Sequence, residues 1–269
     1  MEAAVKVWPQ GLGADGSELG TALELHTTGD VWFVDSETGT DGISPLGRDE
    51  KYPLETLAQA VTNAAAGDII VLASSHDETI TEQLSIAKRL TIVGSGSSAG
   101  IPSATIRCGT TSEAAIEADA DGIRIINVAF YVGDTATGLS TNPISAAAYH
   151  LEDCYFELAD GAASGATFAI VTGCSAKGCT FKSARTEAGT GGVGLNIYTS
   201  VNTLVEDCVF DAGEFGWSGG SGLYAMSDEQ SNLVLRNLSL LRGSDVLVNS
   251  GSTGYWYPGT THSKGRVVW

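Results

Sequence analysis

One eight-residue phrase recurs five times between residues 123 and 240, and it limits this chain to a stacked architecture. The copies are IRIINVAF (123–130), YHLEDCYF (149–156), CSAKGCTF (174–181), TLVEDCVF (203–210) and LVLRNLSL (233–240). Their closing residues, Phe130, Phe156, Phe181, Phe210 and Leu240, are spaced by 26, 25, 29 and 30 residues. A strand-like phrase at that period is the mark of a solenoid. The repeats are too rich in strand formers and glycine for a helical repeat, so each reads as one coil of a parallel β-helix.

Alignment on the closing residue explains how the phrase makes a coil. Two positions back stand Val128, Cys154, Cys179, Cys208 and Leu238; five back stand Ile125, Leu151, Ala176, Val205 and Leu235. All are apolar or thiol, and all are expected to point inward. Three back stand Asn127, Asp153, Gly178, Asp207 and Asn237, the residue types that tolerate a left-handed corner. Coils stacked about 4.8 Å apart then set like on like. The expected core ladder is Cys154, Phe156, Cys179, Phe181, Cys208 and Phe210. Four back, on the outside, stand Ile126, Glu152, Lys177, Glu206 and Arg236. Their charges alternate from Glu152 onward, which gives the Glu152/Asp153 and Glu206/Asp207 pairs a structural use before a catalytic one.

The formal net charge is −18. That argues against a nucleic-acid or anionic-membrane partner, since both need a basic face, and it keeps a long β-protein soluble. No apolar run is long enough to span a bilayer. The first 25 residues lack the apolar stretch of a signal peptide, so folding in a cytoplasm is expected. Five cysteines, Cys108, Cys154, Cys174, Cys179 and Cys208, show no CxxC spacing, and no set of histidines neighbours them at the spacing of a ligand cluster. They read as reduced, buried, small apolar residues, with no metal and no cofactor expected.

Four regions follow: an arm (1–29), a strand and capping helix (30–67), the β-helix (68–250), and a tail (251–269) for attachment or capping. The spacing of Leu54, Leu57, Ala58 and Val61 predicts a helix from Pro53 to Ala66, stopped by Gly67. It would plug the open end of the coil, as solenoids require. Aromatics crowd the tail, at Tyr255, Trp256, Tyr257 and Trp269, where no coil is expected to bury them.

The run VWFVDSETGTDG (31–42), then the helix, then GDIIVL (67–72) and HDETI (76–80), resembles the opening of pectate-lyase-like right-handed β-helix proteins, above all those of tailed bacteriophages. The resemblance covers about residues 30–245. It implies an all-β, right-handed parallel β-helix with an N-terminal cap. That fold hosts lyases, glycosidases, receptor-binding spikes and virion structural proteins alike.

Candidate chemistry is sparse. Glu117, Asp119 and Asp121 form the best calcium-type cluster, but no arginine stands at a matching place two coils later, and a solvated corner explains them. Asp153 and Asp207 share one corner two coils apart, about 10 Å, with Gly178 leaving a notch between them. Two carboxylates at that separation suit a glycosidase, although turn chemistry already accounts for both. His26, His76, His150 and His262 are scattered. The stretch Gly189 to Gly194 reads as a loop, and Trp217 either stacks on a sugar ring or packs beneath its own loop. The expectation is a non-enzymatic virion protein that decorates or cements the phage head, a homotrimer on the major capsid protein. Its expected interface is Val5, Val7, Trp8, Tyr255, Trp256, Tyr257 and Trp269. The alternative is a tail-spike or fibre that binds or cleaves a host-surface glycan.

Overall fold

In a computed structural model of the chain, five non-consecutive residues share one unusual backbone conformation. Asn127, Asp153, Gly178, Asp207 and Asn237 have φ of 54°, 52°, 62°, 54° and 50°. These are the five corner positions of the phrase. At Asn127, Asp153, Gly178 and Asp207 the corner N–H donates to the carbonyl that precedes the corner of the next coil, as in Asn127 to Glu152 (2.9 Å) and Asp153 to Lys177 (2.9 Å). The left-handed turn therefore costs no backbone hydrogen bond, and the chain bends sharply between two strands. The structure describes residues 3–7, 23–27, 29–42, 46–109, 114–133, 137–141, 148–159, 162, 164–169, 172–184, 193–198, 201–213, 223–226, 232–242, 246–248, 254–257 and 267–268.

The corners join three parallel sheets that form the walls of a β-helix. The first sheet has nine strands, from Val31–Val34 and Ile69–Leu72 at one end to Leu233–Arg236 and Gly254–Tyr257 at the other. The second has seven, from Asp77–Ile80 to Ser239–Leu241, and the third eight, from Leu84–Ile86 to Val267–Val268. Register is unbroken along the phrase. Phe130 pairs with Phe156, Phe156 with Phe181, and Phe181 with Phe210. Their rings stack at 4.8, 4.9 and 5.1 Å with planes within 10°, so the strand spacing itself sets the ring spacing. Burying each ring contributes about 1.5–3 kcal/mol. Cys154, Cys179 and Cys208 form a second buried column beside the rings, and all five cysteines are free thiols.

The cap is shorter than its sequence spacing suggests. Helix α1 runs only Leu57–Asn63. Asp41 accepts the N–H groups of Glu55 and Thr56, both at 2.9 Å, which holds that stretch as a turn. Leu54, assigned to the helix by spacing, instead bridges Val34 in parallel as an extended residue. Thr56 caps the helix by accepting from Gln59 N–H. At the other end Lys88 Nζ donates to the carbonyls of Val61, Thr62 and Ala64 at 2.8–3.0 Å, an ammonium where the helix dipole is negative. Leu54, Leu57, Ala60 and Val61 are buried against the first coil.

Two further expectations are corrected. Ile126 stands in the outward column of the first sheet yet is only 3% exposed; it joins Ile69, Val71 and Val93 in a second hydrophobic cluster outside the coil. The repeat also does not break near residue 250. Gly254–Tyr257 pairs in parallel with Leu233–Arg236, and Val267–Val268 pairs with the strand at Val246–Val248. Tyr255, Trp256 and Tyr257 take the register positions of Val234, Leu235 and Arg236. In the arm, Ala3–Val7 and Leu23–Thr27 form an antiparallel pair that sets Val5 opposite Leu25 and Val7 opposite Leu23. Trp8 and Trp269 lie outside the described residues.

Candidate functional site

The residue that follows each closing phenylalanine points away from the core and builds a column on the outer face of the second sheet. Tyr131, Glu157, Lys182 and Asp211 stand there in register, and Arg107, after Ile106, extends the column one coil earlier. Two residues further on, where the chain leaves the sheet, Gly109, Gly133, Ala159 and Ala184 stack into a floor of small residues. Arg107, Tyr131 and Glu157, with that floor, line an open groove of about 380 Å³. Its wall is organised by pairing along the axis. Arg107 donates through Nε and Nη2 to the two carboxylate oxygens of Asp77, each at 2.8 Å, and lies 5.1 Å from the Tyr131 ring. Tyr155 Oη donates to Glu157 at 2.5 Å, and Lys182 Nζ donates to the same oxygen at 2.9 Å. Arg242 holds Asp211 with both Nε and Nη2.

These contacts set the protonation states. Burial pushes Glu157 up, but the hydrogen bonds from Tyr155 and Lys182 outweigh it and hold its carboxyl below the usual range. Asp211 follows the same logic, with burial opposed successfully by Arg242. Burial, then the Glu157 carboxylate, raises the Tyr155 phenol far above its ordinary value. Glu157 is thus an ionised acceptor already engaged by two donors, and its column neighbours are Tyr131 and Lys182 rather than a second carboxylate. The groove offers a guanidinium, an aromatic ring and a carboxylate for recognition. Among its described lining residues Glu157 is the one carboxylate.

The carboxylates singled out by sequence are placed elsewhere. Asp153 and Asp207 are on the same corner column, but no notch opens at Gly178. The Asp153 carboxylate lies over that glycine, 2.2 Å from where a Cβ would stand. Asp207 accepts from Asn237 Nδ2 at 3.0 Å. Burial, then the adjacent Glu152, raises the Asp153 carboxyl. Glu152 pairs with Arg124 at 2.9 Å rather than with Lys177, while Glu206 takes both Lys177 (3.9 Å) and Arg236. Asp119 accepts from Ser85, and Asp121 from the Ala148 N–H at 2.9 Å. Both are spent on joining coils, and among the described residues no three His, Cys, Asp or Glu groups converge as metal ligands.

The histidines are also dispersed. His76 is fully buried; its Nδ1 accepts from Ser36 N–H at 3.2 Å, and Nε2 lies 3.2 Å from Glu78, outside good hydrogen-bond alignment. Glu78 accepts Leu57 N–H at 2.8 Å, so this pair ties the cap to the first coil. His150 meets Ser175 Oγ at 2.9 Å, and burial, then Arg124, lowers its pKa. His26 lies on the arm strand Leu23–Thr27. His262, Trp217 and residues 189–192 lie outside the described residues. Burial drives the thiols up, Cys108 and Cys174 to about 12 and Cys154 and Cys179 well above their ordinary value, which leaves them unreactive.

Two recurring features escaped the sequence reading. A second left-handed corner precedes the first sheet, at Gly67, Gly122, Gly173, Asn202 and Asn232. Four of these stand eight residues before a closing residue, so in four of its five copies the phrase is nine residues long and opens on Gly or Asn. The outer column of the second sheet was equally legible, one residue beyond the phrase.

No family model and no curated protein matches the sequence. Solved structures match the architecture. Pectate lyase Pel9A superposes with a TM-score of 0.50 at 9% identity, over 88% of this chain and 78% of that one. A PL6-family alginate lyase, AlyGC, gives 0.43 at 14%, over 90% and 40%. ORF18 of Geobacillus virus E2 gives 0.42 at 14%, over 87% and 59%. The chain has the pectate-lyase-like, right-handed parallel β-helix fold. At these identities the likeness is one of fold.

Proposed function

We propose that this chain is a non-enzymatic structural protein of a tailed-phage virion, a decoration or cement protein on the head exterior that binds the major capsid protein as a homotrimer after folding in the host cytoplasm. The observation that carries the structural reading is the commitment of the outward carboxylates. Asp77, Glu152, Glu157, Glu206 and Asp211 are each paired with a cation, and Asp207 is bound in its corner ladder. Carboxylates held in this way stabilise a stack rather than transfer protons. The phage context comes from the sequence resemblance of residues 31–80. Closed symmetry is the usual state of such assemblies. In this reading the arm around Val5, Val7 and Trp8 and the aromatics Tyr255, Tyr257 and Trp269 make the attachment surfaces. Trp256, in register with Leu235, is counted with them.

A second reading is favoured by the groove at Arg107, Tyr131 and Glu157: a tail-spike or fibre that holds a host-surface glycan there. One experiment separates the two. Purified chain is added to particles lacking it and imaged by cryo-microscopy, and separately titrated with host-surface polysaccharide. Density on the head with no glycan binding supports the decoration role. Density on the tail, or glycan binding lost in Tyr131→Ala, supports the spike.

A further inference from the structure

The groove on the second sheet is built from fixed parts. Arg107, Tyr131 and Glu157 stand on three successive coils, so its polar wall spans two strand spacings, about 10 Å along the axis. Arg107 is locked by its two bonds to Asp77, each 2.8 Å. Glu157 is locked by Tyr155 and Lys182, at 2.5 and 2.9 Å. The Tyr131 ring rests against the Arg107 guanidinium at 5.1 Å and the Tyr155 ring at 6.2 Å. Side chains already held in place lose little freedom when a ligand arrives. Beneath them the floor stays low. A Cβ at Gly133 would stand 3.1 Å from Cys108 O, and one at Gly109 would stand 3.3 Å from Thr79 Cγ2, both tighter than ordinary contacts. Ala159 is exposed in the same floor.

The groove is also balanced in charge. Among its described lining residues Arg107 is the one cation and Glu157 the one carboxylate. Each already faces an opposite charge, Asp77 for Arg107 and Lys182 for Glu157. Arg107 is thus not free to meet an anionic ligand, and the net charge of −18 sets a field that repels polyanions. What the wall keeps is hydrogen-bonding capacity. The guanidinium spends two of its N–H donors on Asp77 and keeps the rest, while an ionised carboxylate only accepts. Neighbouring sugar hydroxyls both donate and accept, so they suit both groups. The apolar C–H face of a sugar suits the ring and the small-residue floor.

We infer that this groove selects an uncharged hexose oligosaccharide, laid along the axis with its hydroxyls between Arg107 and Glu157, and that the carboxylates of Asp77 and Glu157 exclude the uronate counterpart. This rests on the glycan-binding reading of the groove given above and names the class of glycan. Selection of this kind comes as much from repulsion as from attraction. A uronate differs from its hexose only in a carboxylate at C6. That group would enter beside Glu157, and to reach Arg107 it would have to displace Asp77.

Calorimetric titration of the full chain with matched ligands tests it: galacto- and manno-oligosaccharides against oligogalacturonate and oligomannuronate. The neutral member of each pair should bind about tenfold or more tightly than the uronate, since like charges set side by side are costly. Ala159→Leu, which fills the floor from an exposed position, should abolish that binding, and so should Tyr131→Ala. Thermal melting checks that each variant is folded. Asp77→Asn frees Arg107, and oligogalacturonate should then gain about tenfold relative to the neutral ligand. Neutral binding that survives both Ala159→Leu and Tyr131→Ala overturns the inference, because the site then lies elsewhere. A preference of the unaltered chain for the uronates also overturns it, but leaves the glycan-binding reading standing. Binding of neither series ends both. A folded Asp77→Asn chain with no gain for the uronate overturns the exclusion by charge.

Discussion

The outer face of the first sheet is two different surfaces built on one register. Along its early coils the outward column runs Val71, Val93, Ile126, all buried within a second hydrophobic cluster that also takes in Ile69. Along its later coils the same column continues as Glu152, Lys177, Glu206 and Arg236, solvated and, from Lys177 on, linked by ion pairs. Backbone and strand spacing are the same in both halves. What changes is whether something lies over the sheet. An outward position in a solenoid is therefore not a solvent position, and the energy of a substitution there depends on the half it falls in.

The largest effect should come from the interior both halves share. Phe181→Ala removes a ring stacked on both sides and should cost about 3–5 kcal/mol in a denaturant melt. Ile126→Ala tests the early half and should cost roughly 2–5 kcal/mol, as for a core residue. Glu206→Gln tests the later half and should cost about 1 kcal/mol or less, with the loss shrinking in salt. If Ile126→Ala proved as mild as Glu206→Gln, the contrast between the halves would collapse.

Acid titration sharpens the comparison. Glu157 and Asp211 have folded pKa values below their unfolded ones. Their contribution is complete above the unfolded values, about pH 4, and is lost as pH falls through the depressed ones. Stability should drop below about pH 4, and Lys182→Met should blunt the part due to Glu157. Asp153 runs the other way, because its raised pKa disfavours the ion in the fold. Asp153→Asn should leave the melt unchanged or slightly higher at neutral pH. A clear loss would show a role for the carboxylate that corner geometry does not supply.

The smallest effect concerns one rung. Asn237 donates to Asp207, but Gly178 interrupts the side-chain ladder before Asp153. Gly178 has φ of 62°, which asparagine tolerates. Gly178→Asn requires only the Asp153 carboxylate to swing aside and should stabilise the chain by about 0.5 kcal/mol through the rung it adds. An unchanged or lower melting temperature would mean that the displaced carboxylate costs as much as the rung gains.

Much of this was legible in advance. The phrase specified strands, corners, the phenylalanine and cysteine columns and the parallel stacking, because a side chain's direction in a coil follows from its distance to a corner residue that is itself readable as Asn, Asp or Gly. The corner one position before the phrase and the outer column Tyr131, Glu157, Lys182 and Asp211 one position after it were equally present in the sequence. Other features were not legible. Leu54 fits a helical stripe, yet its N–H donates to Phe33 O and its carbonyl accepts from Asp35 N–H, which holds it extended beside the first strand. Trp256 sits in a segment without the phrase, yet pairing with Leu233–Arg236 places it in the coil. Gly178 promised a notch that the Asp153 carboxylate occupies.

The physical reason is range. Period, corner chemistry and inward or outward direction are local properties, repeated in every coil, so the sequence by itself determined the β-helix, its register and its core. Which outward positions are covered, which carboxylate meets which cation, and where the last coil ends depend on groups 25 to 40 residues apart, such as Lys182 and Glu157 or Asp30 and Asp68. Only the tertiary structure, by bringing those groups within hydrogen-bonding distance, decided them.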